Sequence, residues 1–225
     1  MIISHRHKFI FIKTRKTAST AMEIALSSIC GPMDVLTPLS GNDEQVRFEF
    51  SKLNAQNFKL SFKDLSLGDW LRFIKRQHLP QHTNHQSAKL TKQRVGNKLW
   101  SEYFTFCLER EPYSKVRSHY QWLKMQGRCT NPEDYAKKQY FRKIQGSRLY
   151  ADSTGKVMVD KVYQMESMHQ VLNDIEKRLQ LAPKTLQLPP NKVKKSVAIE
   201  ATEETALRAY YEQHLKPYFE LEGKF

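Results

Sequence analysis

The chain has 225 residues, of which 40% are hydrophobic and 11% aromatic, and its 37 Lys and Arg outnumber its 23 Asp and Glu to give a formal net charge of +14. This composition excludes an intrinsically disordered chain, and the length favours one globular domain over residues 1–225. The excess of positive charge predicts an anionic partner, such as a nucleic acid, an anionic membrane surface, an acidic glycan or a phosphorylated cofactor.

The cysteines and the hydropathy pattern bear on the cellular compartment. Cys30, Cys107 and Cys129 form no Cys-x-x-Cys pair, which argues against a structural zinc site or a disulfide framework. No basic and apolar leader precedes the first predicted strand, and no apolar run reaches the length of a membrane span. These observations favour a cytoplasmic protein.

The first predicted unit is a strand that leads directly into a helix. Residues 8–13 form a nearly continuous apolar run, which is typical of a strand buried on both faces of a parallel sheet. From Ser19 to Cys30 apolar residues recur at helical spacing, and Gly31–Pro32 ends the helix. Residues 33–65 carry mixed patterns, including an alternation of apolar and polar residues, and are predicted as irregular structure with one edge strand.

Two further helices are predicted before the strand at residues 103–109. One covers residues 67–77, and the other covers residues 88–96, where Gly96 ends it. The segment at residues 78–88, HLPQHTNHQSA, contains three histidines and is predicted as the loop that joins these helices.

Two more units of strand, turn and helix follow. A strand at residues 103–109 leads to a helix that begins at Pro112, and a strand at residues 157–165 leads to a helix at residues 167–181. A last helix is predicted at residues 202–216. Three such units predict an α/β fold in which a central, mainly parallel sheet is flanked by helices. The crossover connections between parallel strands are expected to be right-handed, which places the ligand-binding site at the carboxyl ends of the strands.

The loop between the first strand and its helix is basic and rich in small hydroxyl residues, with the sequence KTRKTAST at residues 13–20. Such a loop presents unpaired backbone N–H groups at the positive end of a helix dipole, so phosphate or sulfate is a natural ligand. The loop lacks the glycines of the phosphate-binding motif of nucleotide triphosphatases. In the alternative interpretation Thr17 or Ser19 only caps the helix, and the loop alone leaves both interpretations open.

A second basic motif follows the second unit's strand, where Arg110 leaves the strand and Ser118 lies eight residues further on, in the helix. Together with KTAST at residues 16–20, this pair resembles the two cofactor-binding motifs of sulfotransferases that use 3′-phosphoadenosine 5′-phosphosulfate (PAPS). The likeness is closest to the carbohydrate sulfotransferases, including the heparan 2-O type in sulfotransferase family 2. It implies a P-loop-like, three-layer fold.

Further segments resemble motifs of this family in the family's order. They are the segments at residues 85–106, 162–168, 191–196 and 218–225. The sequence departs from the family pattern at three positions. Arg15 stands where members often have proline, Glu111 where they have Asp or Asn, and Gln164 where an Arg is common.

The resemblance implies a role for each matching residue. Lys16 is expected to stabilise charge on the leaving oxygen, and His85, which matches the family's histidine better than His78 or His82, is expected to act as the base. The residues expected to bind PAPS are Arg15, Thr17, Ala18, Ser19, Thr20, Ala21, Arg110, Ser118, Lys194, Lys195 and Ser196. The reaction would transfer a sulfuryl group to a hydroxyl of an acceptor, expected to be a carbohydrate or glycan, and release adenosine 3′,5′-bisphosphate (PAP), with no metal.

Two other functions fit part of the pattern. A kinase should carry a glycine-rich loop and an Asp that holds Mg²⁺ at a strand end, and neither is visible. A nucleic-acid-binding protein would fit the charge, but Phe104, Tyr113, Tyr120 and Trp122 fall at predicted core positions. A further group of basic residues is expected around the acceptor loop, where it would steer an anionic glycan or keep the protein soluble. This group is Arg72, Lys75, Arg76, Lys89, Lys92 and Arg94.

Overall fold

The computed structural model describes residues 1–60, 67–76, 80–190 and 199–225. Five strands form one sheet in the order β3-β1-β2-β4-β5. They are β1 (Ile2–Ser4), β2 (Phe9–Ile12), β3 (Val35–Leu36), β4 (Phe104–Glu109) and β5 (Lys161–Gln164). β2, β4 and β5 are parallel, whereas β1 pairs antiparallel with both β2 and β3 at one edge.

Nine α-helices lie in the described part of the chain. They are α1 (Ser19–Ser27), α2 (Gly41–Ser51), α3 (Leu67–Arg76), α4 (Ala88–Glu102), α5 (Pro112–Met125), α6 (Pro132–Lys137), α7 (Ser147–Tyr150), α8 (Met168–Arg178) and α9 (Ala201–Tyr210). Short 3₁₀ segments include Tyr140–Lys143 and Met165–Ser167. Among the described helices, none combines the length and apolarity needed to cross a membrane.

The sheet buries both of its faces, as the apolar run of β2 predicts. Phe9 and Phe11 pack on one side with residues of α1 and α8, and Ile10 and Ile12 pack on the other side with residues of α4 and α7. Because successive side chains of a strand point to opposite faces, four consecutive apolar residues require helices on both sides. The predicted α/β class, with a central sheet flanked by helices, is confirmed.

Several element boundaries differ from their predictions. α4 continues past Gly96, whose φ of 82° kinks it, and ends at Glu102. The third predicted strand shrinks to β5, since Val157 forms only an isolated bridge with Ala151. α9 gives way after Tyr210 to a π turn and then 3₁₀ turns. The predicted inward face of α5, at Val116, Tyr120 and Leu123, is buried as expected.

Four of the described strands and α-helices were not predicted, namely β1, α2, α6 and α7. The edge strand expected within residues 33–65 is present as β3, but most of the alternating segment lies in α2. Arg47 of α2 is fully buried and Phe48 is about half exposed, which reverses the usual relation between polarity and burial. A helix is recognised in a sequence by apolar residues that recur at helical spacing. A charged residue on the inward face interrupts that spacing, so α2 could not be recognised.

Candidate active site

The loop between β2 and α1 is tied to the neighbouring strand β4. The Thr14 hydroxyl donates a hydrogen bond to the carbonyl oxygen of Leu108, and it lies 2.8 Å from the Thr17 hydroxyl. The Ser19 hydroxyl donates to the Thr14 carbonyl oxygen at 2.5 Å. Three hydroxyl groups therefore fix the backbone of the loop relative to the sheet.

These bonds decide between the two interpretations of the loop. The N-cap residue of α1 is Ala18, and no described side chain caps the helix, because the hydroxyls of Thr17 and Ser19 bond within the loop. The first turn of α1 also lacks acidic residues. Lys16 and Ala18 have left-handed φ values of 63° and 55°, a geometry that turns successive N–H groups into a concave anion site. The capping interpretation was wrong for both hydroxyls, and the helix N-terminus remains open to an anion.

Arg110 leaves the end of β4 beside this loop, since β2 and β4 are parallel neighbours. The preceding residue, Glu109, is fully buried. Its carboxylate accepts a hydrogen bond from the Arg110 backbone N–H at 2.9 Å and another from the Lys115 ammonium group. Burial raises the pKa of Glu109, and the charge of Lys115 opposes that rise. This pair joins β4 to α5 and so fixes the position from which the Arg110 side chain extends.

The Arg110 side chain is half-buried and incompletely bonded. Its Nε atom is buried without a hydrogen-bond partner and lies 3.9 Å from the Glu166 carboxylate. Burial lowers the pKa of Arg110, and the charges of Glu166 and Glu111 partly offset this effect. Because a guanidinium group stays charged in proteins, an unpaired buried N–H is a donor available to an anionic ligand.

One cavity of about 890 Å³ connects the two motifs. Of the residues predicted from the sequence, those that line it are Arg15, Lys16, Ala18, Ser19, Thr20, Ala21, His85, Arg110 and Ser118. Thr17 is fully buried beneath the loop and does not line the cavity. The predicted donor residues Lys194, Lys195 and Ser196 lie outside the described residues.

The walls of this cavity are positively charged. Six cationic side chains line it, and in the described part of the chain no Asp or Glu does. The cations are Lys13, Arg15, Lys16, Arg110, Arg128 and Lys143. A ligand with several negative charges, such as a nucleotide bearing phosphate and sulfate groups, fits this charge distribution.

His85 lines the cavity beside the first loop. Its Nδ1 lies 2.9 Å from the carbonyl oxygen of Lys13. Because a carbonyl oxygen only accepts, Nδ1 carries the proton and Nε2 holds the lone pair. Burial, and after it the charge of Arg15, lower the pKa of His85 to about 4. The ring is therefore neutral near pH 7 and able to accept a proton at Nε2.

The two other candidate histidines differ in position. His82 is buried, and its Nδ1 accepts a hydrogen bond from the Gln86 side-chain amide at 3.1 Å. It does not line the cavity. His78 lies outside the described residues. Among the described candidates, only His85 faces the cavity.

Glu23 of α1 forms a buried charged network behind the loop, which the sequence analysis missed. Its carboxylate lies 2.9 Å from the ammonium group of Lys13 and 3.2 Å from the guanidinium group of Arg47, and it also contacts the Met1 ammonium group. Burial alone would raise the pKa of Glu23, but these cations outweigh it and lower the pKa to about 2. The ionised carboxylate thus anchors Lys13 at the start of the loop.

A second histidine, His119, also lines the cavity and was missed. Its Nδ1 lies 3.1 Å from the Tyr135 hydroxyl, and its ring stacks on Trp122 with centroids 5.9 Å apart. Burial lowers the pKa of His119 to about 3, and the charges of Lys16 and Arg15 contribute. Its neighbour Trp122 was interpreted as a core residue, but it is 39% exposed and lines the cavity.

The basic residues expected around the acceptor loop do not form this cavity. Lys75, Lys89, Lys92 and Arg94 are absent from its lining, and Arg94 instead pairs with Asp69 at 2.9 Å. The side chains of Arg72 and Arg76 lie outside the described part of the structure. Arg94 does lie at the acceptor loop, since its guanidinium group donates to the Gln81 carbonyl oxygen at 2.8 Å and to the Gln86 side-chain oxygen at 2.7 Å. The cavity itself receives charge from Arg128 and Lys143, which the sequence did not indicate.

Comparisons with known proteins give one structural likeness. The chain is similar to a crystal structure of a sulfotransferase from Alicyclobacillus acidocaldarius over 96% of this chain and 95% of that one, with 15% sequence identity and a TM-score of 0.42. No protein-family model and no curated protein sequence matches the chain.

Proposed function

We propose that this protein transfers the sulfuryl group of PAPS to a hydroxyl group of a carbohydrate acceptor and releases PAP. One observation carries the proposal: the open anion loop and the Arg110–Ser118 motif line the same cavity, and no described carboxylate does. PAPS carries a phosphosulfate at the 5′ end of its adenosine and a phosphate at the 3′ position. It therefore requires two cationic sites within one cavity.

Each of the two motifs would bind one of the two anionic groups of this donor. The backbone N–H groups at the start of α1, with Lys16, would bind the 5′ phosphosulfate. Arg110 and Ser118 would bind the 3′-phosphate, for which a guanidinium group can make two parallel charge-assisted hydrogen bonds. The Nε atom of Arg110, which makes no hydrogen bond to the described residues, supports this assignment.

His85 and Lys16 would perform the chemical step. His85 accepts the proton of the acceptor hydroxyl at Nε2 while the acceptor oxygen forms its bond to sulfur. Lys16 stabilises the negative charge that collects on the phosphate oxygen as the bond between that oxygen and sulfur breaks. The left-handed backbone at Lys16 and the bond from His85 to Lys13 hold both groups in place, which supports catalysis through position and electrostatics.

The composition of the cavity wall also bears on the kinase alternative. Phosphoryl transfer from a nucleoside triphosphate uses Mg²⁺ held by carboxylate or amide oxygens. No carboxylate from the described residues lines this cavity. A titration with the magnesium complex of ATP therefore serves as a negative control in the test below.

The test compares two nucleotides that differ only in the 3′-phosphate. Isothermal titration calorimetry with PAP and with 5′-AMP should show tighter binding of PAP to the wild type, by about 30- to 1000-fold for a desolvated guanidinium contact. Arg110→Ala should bind both nucleotides with similar affinity. Arg117→Ala is the matched control, since Arg117 pairs with Glu204 at 2.6 Å and lies outside the cavity lining.

Two outcomes would contradict the proposal. One is equal affinity of the wild type for PAP and 5′-AMP, and the other is tighter binding of magnesium ATP than of PAP. Transfer itself is tested by incubating the protein with PAPS and a panel of saccharides, lipids and small alcohols, and measuring products by mass spectrometry. A sulfated saccharide is the expected product.

A further inference from the structure

His119 of α5 lines the cavity but has no role in the proposed function so far. Its side chain is buried, and its Nδ1 lies 3.1 Å from the hydroxyl of Tyr135, which is fully buried. Within the described part of the chain Nδ1 has this one partner, and Nε2 makes no hydrogen bond. Because the Nδ1 edge of the ring faces the buried Tyr135, the edge that carries Nε2 is the one left to face the cavity.

The hydrogen bond between His119 and Tyr135 determines which ring nitrogen carries the proton. Either the phenol O–H donates to the lone pair of Nδ1, or an N–H at Nδ1 donates to the phenol oxygen. In the second arrangement the Tyr135 hydroxyl proton would be buried with no acceptor among the described residues, which is unfavourable. The first arrangement leaves no such donor unpaired. It places the lone pair of His119 on Nδ1 and the proton on Nε2.

His119 therefore presents to the cavity the opposite group from His85. The Nδ1 of His85 donates to the carbonyl oxygen of Lys13, so its Nε2 holds a lone pair. The Nδ1 of His119 accepts a hydrogen bond, so its Nε2 carries an N–H group. Burial, and after it the charges of Lys16 and Arg15, lower the pKa of His119 to about 3, so the ring is neutral near pH 7. Its N–H group can donate a hydrogen bond to an anion but cannot replace His85 as the base.

Two observations place His119 near the loop between β2 and α1. Its ring stacks on that of Trp122, with the ring planes 16° apart, and the Lys16 ammonium group lies 5.5 Å from the centroid of the same indole. Among the charges that lower the pKa of His119, that of Lys16 has the largest effect and that of Arg15 the next. Arg110, which would bind the 3′-phosphate, is not among the four charges with the largest effect. His119 is therefore closer to the group that would bind the 5′ end of the donor.

We propose that His119 is a further catalytic residue whose Nε2–H donates a hydrogen bond to an oxygen of the 5′-phosphate of PAPS, and that Tyr135 is its positioning residue. The inference rests on the proposed function, which assigns the 5′ phosphosulfate to the loop that contains Lys16. In that reaction the acceptor oxygen forms a bond to sulfur and its proton passes to His85. The bond between sulfur and the bridging oxygen breaks, and its electron pair stays on the 5′-phosphate. Negative charge therefore increases on the phosphate, where a hydrogen-bond donor already fixed in place is most effective.

The binding test compares PAP with adenosine 3′-monophosphate, which lacks only the 5′-phosphate. His119→Phe keeps an aromatic ring against Trp122 but removes both nitrogens. In calorimetric titrations it should bind PAP about 10- to 100-fold more weakly than the wild type and bind adenosine 3′-monophosphate with unchanged affinity. His119→Gln, whose side-chain amide can place an N–H near the position of Nε2, should recover most of the loss. His214→Phe is the matched control, since His214 is exposed outside the cavity lining, and it should leave PAP affinity unchanged.

A second measurement uses no nucleotide. In protein labelled with ¹⁵N in its histidines, nitrogen chemical shifts should show the proton of His119 on Nε2 and that of His85 on Nδ1. Tyr135→Phe removes the hydroxyl and should lower the fraction of His119 that carries its proton on Nε2. This variant should lose less PAP affinity than His119→Phe, because the second tautomer becomes available but the ring remains. If His119→Phe does not fold, the tautomer of the wild type and the titration of Tyr135→Phe decide the inference.

Three results would overturn the inference. One is a proton on Nδ1 of His119 in the free protein. Another is an equal loss of affinity for PAP and for adenosine 3′-monophosphate in His119→Phe, since the residue would then not act on the 5′-phosphate. The third is unchanged PAP affinity in His119→Phe. Each of these leaves the proposed function intact when the wild type binds PAP, whereas a wild type that does not bind PAP contradicts the proposed function and the inference together.

Discussion

Binding of PAP should raise the pKa of His85. In the structure the ring is partly buried beside Arg15, and both effects disfavour its protonated form. A bound bisphosphate would bring negative charge into the same cavity and offset the charge of Arg15. Protonated His85 is therefore less disfavoured in the complex than in the free protein, and its pKa moves upward.

The size of this change follows from the lowered pKa. The decrease from 6.5 to about 4 corresponds to about 3 kcal/mol against protonation. One negative charge at about 8 Å, with an effective dielectric constant of about 20, contributes about 2 kcal/mol in the opposite direction. We therefore expect a pKa of about 5.5 in the complex with PAP. His85 remains neutral at pH 7 in both states, so turnover should be constant near pH 7 and fall below about pH 5.5.

Nuclear magnetic resonance of protein labelled with ¹³C in its histidines measures this pKa directly. His85→Gln identifies the signal, and titration with and without PAP gives the two values. Nitrogen shifts should show the proton on Nδ1, as the bond to Lys13 requires. The signal of His82, which lies outside the cavity lining, should not move when PAP is added. A pKa near 6.5 for His85 in the free protein, or no increase with PAP, would refute the reasoning.

Three further predictions concern other parts of the site and its support. Lys16→Ala should lower kcat by about 100-fold or more but change PAP affinity little, and an equal loss of PAP affinity would make Lys16 only a binding residue. Glu23→Gln should lower the free energy of unfolding by about 3–5 kcal/mol in urea titrations, since it leaves buried cations uncompensated, and an unchanged midpoint would contradict this. Gly146→Ala should destabilise by about 1–3 kcal/mol, because its Cβ would lie 2.1 Å from the buried Glu109 carboxylate. Gly41→Ala, with open space around its Cβ, is the control and should destabilise measurably less in the same titrations.

The part of the cavity that the loop between β2 and α1 lines could be predicted because its residues are local in sequence. A buried strand, a basic loop and a helix occur within residues 8–27, so one short pattern contains both the geometry and the chemistry. The network around Glu23 and Arg47 gave no such signal. Both residues are charged and fully buried, and they meet only because α1 packs on α2. A pattern based on polarity assigns such residues to the surface, because most charged side chains are exposed. A charged side chain is buried only when it is paired, and the partner cannot be read from the local sequence.

The positions of Trp122, Arg128 and Lys143 in the cavity lining could not be predicted for a different reason. Trp122 lies four residues after Ser118 and so shares its helix face, but an aromatic residue at helical spacing indicates burial equally well in a core and in a cavity. Gly127 was a usable signal, because a glycine after the last apolar turn marks a helix end. No local sequence pattern predicts that the chain returns to the cavity after α5 ends. Arg94 lies at the acceptor loop as expected, bonded to Gln81 and Gln86, but does not line the cavity, whereas Arg128 reaches the cavity through the turn that ends α5. The lining of this cavity therefore includes residues of the irregular segment after α5, where neither strand nor helix periodicity fixes the position of a side chain.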